Sequence, residues 1–188
     1  MSTTAVQPIT IEQFLRFQAP RGFRTELING DIVLSPDPKA AHYDICERLY
    51  EALKQVCPSP DYKVLQRINL RFKSTYQMPS PDVMVIDYAS WIDSQSSGYP
   101  ATTPFFVAEV VSSSNRKKAV TEKVQIYLRE GVPEVWVIYP RRLTVEVHRS
   151  NGRTLHGVSE YLALPKPLPA VSFAVTQIFT FDKKIEAV

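Results

Sequence analysis

Apolar positions along this chain change their period several times, and each change marks an element. Thr10-Ile11-Glu12-Gln13 has the form of a capping box, and Ile11, Phe14 and Leu15 then give a short amphipathic helix. Residues 25–34 place strand formers on both sides of Asn29-Gly30, whose positive-φ preference suits a type I′ turn, so a hairpin is predicted. Asp37-Pro38 reads as the N-cap and first residue of a helix burying Ile45, Leu49, Ala52, Leu53 and Val56. Pro58 and Pro60 stop it. Residues 63–72 alternate as a strand with one largely polar face, while residues 78–87 and 105–111 are more continuously apolar, as central strands are. Residues 91–103 are polar, with Ser, Gly and Pro, and read as a loop. A helix over residues 116–130 is closed by Gly131 and Pro133. Residues 134–139 form a buried strand, a second hairpin flanks Asn151-Gly152, and residues 171–181 close the chain against the core.

A strand, helix, strand order from Val107 through Trp136 implies a parallel pair. The fold class is therefore α/β: a mixed β-sheet flanked by helices, with N-terminal and C-terminal β-hairpins. Length assigns residues 1–188 to a single domain, with its core over about 8–181.

Composition narrows the function classes. The net charge of +3 permits nucleic-acid binding without arguing for it, because the basic residues come in short bursts such as Arg67, Arg71 and Lys73 or Arg141-Arg142. Cys46 and Cys57 form no Cys-x-x-Cys pair and have no zinc spacing, so free thiols in a reducing cytoplasm are expected. The first ten residues lack a signal-peptide pattern, and no stretch approaches the ~20 apolar residues of a membrane span. There is no Gly-x-Ser-x-Gly elbow, Walker loop or dinucleotide fingerprint, and six glycines leave little for phosphate-cradling loops.

Two carboxylates break the apolar runs. Asp82 interrupts Pro81-Asp82-Val83-Met84-Val85-Ile86, and Glu109 interrupts Phe105-Phe106-Val107-Ala108-Glu109-Val110-Val111. A charge there is costly unless it is paired, metal-bound or at an exposed strand end. Lys123 follows on the next helix. Two acids converging near an amine are suited to holding a hard divalent cation beside a phosphate. The opposing reading of each acid alone is a strand-end surface charge or an ordinary salt bridge.

The chain resembles the Uma-two-like endonuclease family, long catalogued as a domain of unknown function, within the PD-(D/E)xK restriction-endonuclease-like fold. The stretches that carry the resemblance are Glu26-Leu27-Ile28-Asn29-Gly30, Ser35-Pro36, His42 opening a helix, and Pro81-Asp82-Val83. Glu109-Val110-Val111-Ser112, Glu122-Lys123 with Tyr127, and Gly131-Val132-Pro133-Glu134-Val135-Trp136 complete it. The resemblance implies that Asp82 and Glu109 bind Mg²⁺ (or Mn²⁺). It also implies that Lys123, relocated from the usual place at Val111 to the following helix, orients the attacking water. DNA is the implied substrate, and a two-fold homodimer is expected, motivated further by the apolar Val171, Phe173 and Phe179.

Other positions keep two readings each. The carbonyl of Val110 is a further metal ligand if the strand end is exposed. Glu26 is an extra carboxylate for the metal or a cross-strand surface charge. His42 contacts phosphate or carries a proton, or is a hydrogen-bonded core histidine. Tyr127 turns its hydroxyl into the site or packs in the core, and Lys123 without the resemblance reads as a lysine snorkelling to water. Ser112 and Ser113 are candidate caps for the helix at Arg116. The sequence departs from the family pattern at Ser113, Ala119 and Tyr139, the last two standing where carboxylates are usual. Those departures support the alternative function, a catalytically weakened module that binds nucleic acid or a protein through the same groove.

Overall fold

A computed structural model describes residues 7–74, 76–112 and 117–179. Its first elements are helix α1 (Ile11–Phe14) and strands β1 (Phe23–Ile28) and β2 (Asp31–Pro36), followed by helix α2 (Ala40–Val56) and strand β3 (Tyr62–Gln66). Then come β4 (Val83–Asp87), α3 (Tyr88–Ser97), β5 (Phe106–Val110), α4 (Lys117–Arg129) and β6 (Val135–Tyr139). The chain ends with β7 (Thr144–Arg149), β8 (Gly152–His156), β9 (Tyr161–Ala163), β10 (Ser172–Ala174) and α5 (Val175–Phe179).

Six strands form one sheet in the order β3-β4-β5-β6-β7-β8. Only β5 and β6 run parallel, and α4 connects them, as the strand, helix, strand order requires. Alternation along each central strand divides the core in two. Val83, Val85, Phe106, Ala108, Trp136 and Ile138 face α2 and α5. Met84, Ile86, Val107, Val135 and Val137 face α4 through Val120, Val124 and Tyr127. Helix α2 enters the first layer because Ile45, Cys46, Leu49 and Leu53 recur at helical spacing on one face. The architecture is thus the predicted mixed sheet flanked by helices.

The N-terminal hairpin stays outside this sheet. Asn29 and Gly30 both have positive φ, 51° and 83°, as a type I′ turn demands. The hairpin is tied to the segment before β4: Leu27 and Met78 exchange backbone hydrogen bonds of 3.2 and 2.8 Å, and the Gly30 amide donates to Tyr76 O at 3.1 Å. The Asn69 side chain donates to Thr25 O and Met78 O at 3.0 and 3.1 Å, joining a third segment to the same seam. One face of β1 therefore looks toward the end of the main sheet.

Four local expectations are corrected. Residues 91–103 are not all loop, because α3 occupies residues 88–97. Asp87 caps it with a 2.7 Å hydrogen bond from Ser90 N, and Gly98 ends it at φ 85°. Helix α2 starts at Ala40 rather than Pro38, and Asp37 instead faces Arg67 at 3.9 Å. The strand expected over residues 63–72 ends at Gln66, where Arg67 takes φ 53° and turns the chain away; Leu70 and Phe72 are still buried. The run 78–87 pairs in the main sheet only from Val83. The expected helix start at Arg116, the Ser113 cap and the end at Phe181 lie outside the described residues. Among the described residues no helix is long and apolar enough to cross a membrane.

Candidate active site

The β4–β5 register, Val83 opposite Ala108, sets Asp82 opposite Glu109 when extended by one step. Both carboxylates are buried, at 3% and 4% exposure. They lie on the wall of a cavity of about 500 Å³ formed by one face of the β1–β2 hairpin, the start of α2, these strand ends and α4. Glu26, His42 and Lys123 line the same cavity. Tyr127 is buried beneath it and reaches it through Glu109. The residues singled out from sequence are therefore brought together.

Lys123 is the hub. Its Nζ lies 2.7 Å from Glu109 Oε1 and 2.8 Å from Glu26 Oε1. The Ser80 amide donates to the same Glu26 oxygen at 2.7 Å, and Lys123 also donates to the Ser80 carbonyl at 3.5 Å. Tyr127, one turn along α4, donates its hydroxyl to Glu109 Oε1 at 2.6 Å. Helix α4 thus fixes Glu109 from two successive turns. The readings of Glu26 as an exposed surface charge and of Lys123 as a lysine snorkelling to water do not describe these contacts.

Asp82 is fixed from the other layer. Its Oδ2 accepts the Val110 amide at 2.9 Å, and His42 Nε2 lies 3.1 Å from Oδ1. What Val110 is seen to contribute is its N–H. His42 is buried, and its Nδ1 has no hydrogen-bond partner. Cys46 follows His42 by one helical turn, and ligating atoms of His42, Cys46 and Asp82 lie within 4.8 Å of one another.

Environment separates the two acids. Burial would raise the Asp82 carboxyl, but the hydrogen bond and charge of His42, the Lys123 ammonium and the Val110 amide outweigh it and hold it below the usual carboxylate range. Burial pushes the Glu109 carboxyl up to about 7; Lys123 opposes this, while Asp82 and Glu26 push it further up. Burial also disfavours charge on Lys123, but Glu109, Glu26 and Asp82 more than compensate and hold its ammonium above the ordinary lysine range. Burial, with Glu109 and Glu26 adding to it, raises the Tyr127 phenol.

Three carboxylates thus share one cavity around one ammonium. By donor chemistry the oxygens of Asp82 and Glu109, facing each other at the strand ends, suit a hard divalent cation. The nitrogen and sulfur of His42 and Cys46 suit a softer ion and share only Asp82 with the oxygen set.

Sequence reasoning missed Arg24. It stands two residues before Glu26 on β1, hence on the same strand face, and its Nη2 lies 3.7 Å from Asp82 Oδ1. The two-residue period was available as a signal; the docking of the hairpin against Asp82 was not.

No curated protein matches the chain. A crystal structure described as a "putative nuclease belonging to DUF820" from Anabaena variabilis is similar to it, with a TM-score of 0.79 and 21% identity. That similarity covers 92% of this chain and 98% of the other, and at such identity it establishes a shared fold. The profile of the Uma2 family, whose description is "Putative restriction endonuclease", matches residues 11–176. With nearly the whole described chain inside that match, the protein belongs to the Uma2 family.

Proposed function

We propose that this protein is a metal-dependent endonuclease that hydrolyses DNA phosphodiester bonds. The observation that carries the reading is Glu109, buried at a strand end opposite Asp82 and held between Lys123 and Tyr127. Asp82 and Glu109 would hold Mg²⁺ or Mn²⁺, with the Val110 carbonyl as a further oxygen. Such an ion, when bound, supplies positive charge beside the phosphate and acidifies water.

The remaining work falls to this chain's own side chains. Lys123 orients the attacking water and offsets charge that develops on the phosphate. Glu26, anchored by the Ser80 amide, keeps the Lys123 ammonium at the cavity wall. Tyr127 fixes the rotamer of Glu109, and His42 fixes that of Asp82, so neither carboxylate has to reorganise when substrate arrives.

The test is calorimetric titration of Mg²⁺ or Mn²⁺ into wild type, Asp82→Asn and Glu109→Gln, followed by a plasmid-nicking assay. Each substitution removes a ligand's charge while keeping its volume. Both should nearly abolish ion binding and nicking while leaving the fold intact. Undiminished ion binding in both variants would end this reading.

A second reading has one observation in its favour. Ala119 is exposed and lines the cavity, and Tyr139 donates its hydroxyl to Glu146 at 3.3 Å, so neither position supplies a carboxylate. On that reading the cavity binds nucleic acid or protein without cutting. Ion binding without nicking by wild type would favour it.

The reading also includes a two-fold homodimer that addresses two strands. Its support is narrower than the sequence suggested, because Phe173 and Phe179 are 6% and 7% exposed and belong to the core rather than to an interface. Light scattering at tens of micromolar would decide it, and a monomeric mass would remove the dimer.

A further inference from the structure

We propose that Arg24 binds a phosphate of the substrate strand, a role that rests on the nuclease reading of the neighbouring carboxylates. The argument begins with strand parity. Arg24, Glu26 and Ile28 alternate onto one face of β1, and all line the cavity. Ile28 and Glu26 are 6% and 7% exposed, whereas the Arg24 side chain is 24% exposed. Arg24 is therefore the most solvent-exposed of the three.

Its hydrogen bonding is incomplete. Nε and Nη1 are buried without any partner, and the nearest approach to a carboxylate, Nη2 to Asp82 at 3.7 Å, is too long for a hydrogen bond. A buried guanidinium with empty donors is unfavourable, and an acceptor from outside the chain would relieve it. The neighbouring acids are already engaged: Asp82 by His42 and the Val110 amide, Glu109 by Lys123 and Tyr127, and Glu26 by Lys123 and the Ser80 amide.

Charge gives the same assignment. Lys123 is 13% exposed and held by two carboxylates, so it is not free to reach out for an incoming strand. Arg24 has one long contact, and its Nε and Nη1 have no partner. A planar fork matches two oxygens of a phosphate, which a lysine point charge does not. A phosphodiester entering from solvent meets the more exposed Arg24 before the buried carboxylates.

The experiment compares wild type, Arg24→Gln and Arg24→Lys with two probes. One is a short fluorescein-labelled DNA oligonucleotide, followed by anisotropy in Ca²⁺. The other is inorganic phosphate, followed by calorimetry in Mg²⁺. Mn²⁺ affinity is measured on all three proteins. Loss of a charge-assisted fork predicts roughly tenfold or greater weakening of both probes in Arg24→Gln. Arg24→Lys should recover only part of it; Mn²⁺ affinity should hold in Arg24→Lys and hold or improve in Arg24→Gln, where a competing cation is removed. Phosphate binding that depends on Arg24, in a wild type that ignores DNA, would overturn the substrate-strand assignment together with the nuclease reading, whereas DNA binding undiminished in Arg24→Gln would overturn the assignment alone. Binding of either probe by Arg24→Gln at wild-type strength would overturn it. So would a wild type that binds neither probe, or Mn²⁺ affinity falling in step with the probes, which would make Arg24 a positioning residue for Asp82.

Discussion

Lys123 sits within 3 Å of Glu26 and of Glu109 and is largely withdrawn from water. Lys123→Met would leave two buried carboxylates without their counter-charge. Breaking a buried pair from one side destabilises by roughly 3–5 kcal/mol, so the denaturation midpoint of the metal-free variant should fall well below that of wild type. Mn²⁺ should stabilise the variant and wild type by similar amounts, because stabilisation by a bound ion follows its affinity. Turnover should fall by orders of magnitude with metal affinity little changed, as the role proposed for the lysine on the transition state rather than on the cation requires. Robust cleavage indifferent to Lys123→Met would remove the lysine from the mechanism. Cys46 offers a separate check on which donor set holds the ion. If the oxygens of Asp82 and Glu109 do, Cys46→Ala keeps its Mg²⁺ dependence; loss of ion binding in that variant would transfer the site to His42, Cys46 and Asp82. At this scale the sequence was informative wherever a residue contradicted its neighbours. Asp82 and Glu109 stand out because they interrupt apolar strands. Arg24 contradicts nothing locally, and its role depends on a docking of β1 that no local pattern encodes.

Among the elements, the β1–β2 hairpin depends most on a single residue. Gly30 has φ 83°, and a Cβ there would collide with the Cβ of Pro8. Gly30→Ala therefore meets both a left-handed backbone and backbone-level crowding, and should cost about 1–3 kcal/mol. It should also lower nuclease activity without touching any site residue, because it disturbs the strand carrying Arg24 and Glu26. A variant with wild-type melting temperature and activity would show that the hairpin tolerates displacement. On α4, Ala119→Asp places an acid one turn before Lys123, at an exposed position on the cavity wall. Metal affinity measured by calorimetry should rise, and no change would detach that position from the site. The hairpins, α2, α4 and the central strands could be read from their periods. Helix α3 could not, because it buries only Ser94 and so presents no apolar stripe; its readable marks are the caps Asp87 and Gly98. Arg67, turning at φ 53°, likewise ends β3 without any glycine or proline to announce it.

Across the whole molecule, the two thiols report on global opening. Cys46 and Cys57 are free and buried. Burial pushes Cys57 up to about 11, and it raises Cys46 further. An unfolded thiol ionises near 8.5, so the stability linked to Cys57 is complete below that pH and is lost as pH rises toward 11. Thermal melts should therefore decline over that window, and a Cys57→Ala variant should decline less steeply. Alkylation at pH 8 should proceed at the rate of unfolding, and rapid labelling of native protein would contradict the packing described above. The hairpin wall has a consequence for descent. Acids that would hold the ion lie on strands locked into the main sheet, while the residue proposed to meet the substrate lies on a separate ribbon fastened by a few bonds to residues 76–80. Two lineages of this fold can then share the carboxylates of the main sheet and diverge in what reaches them, by altering Arg24 and the exposed positions of the ribbon while Glu26 and Ile28 stay tied to the core.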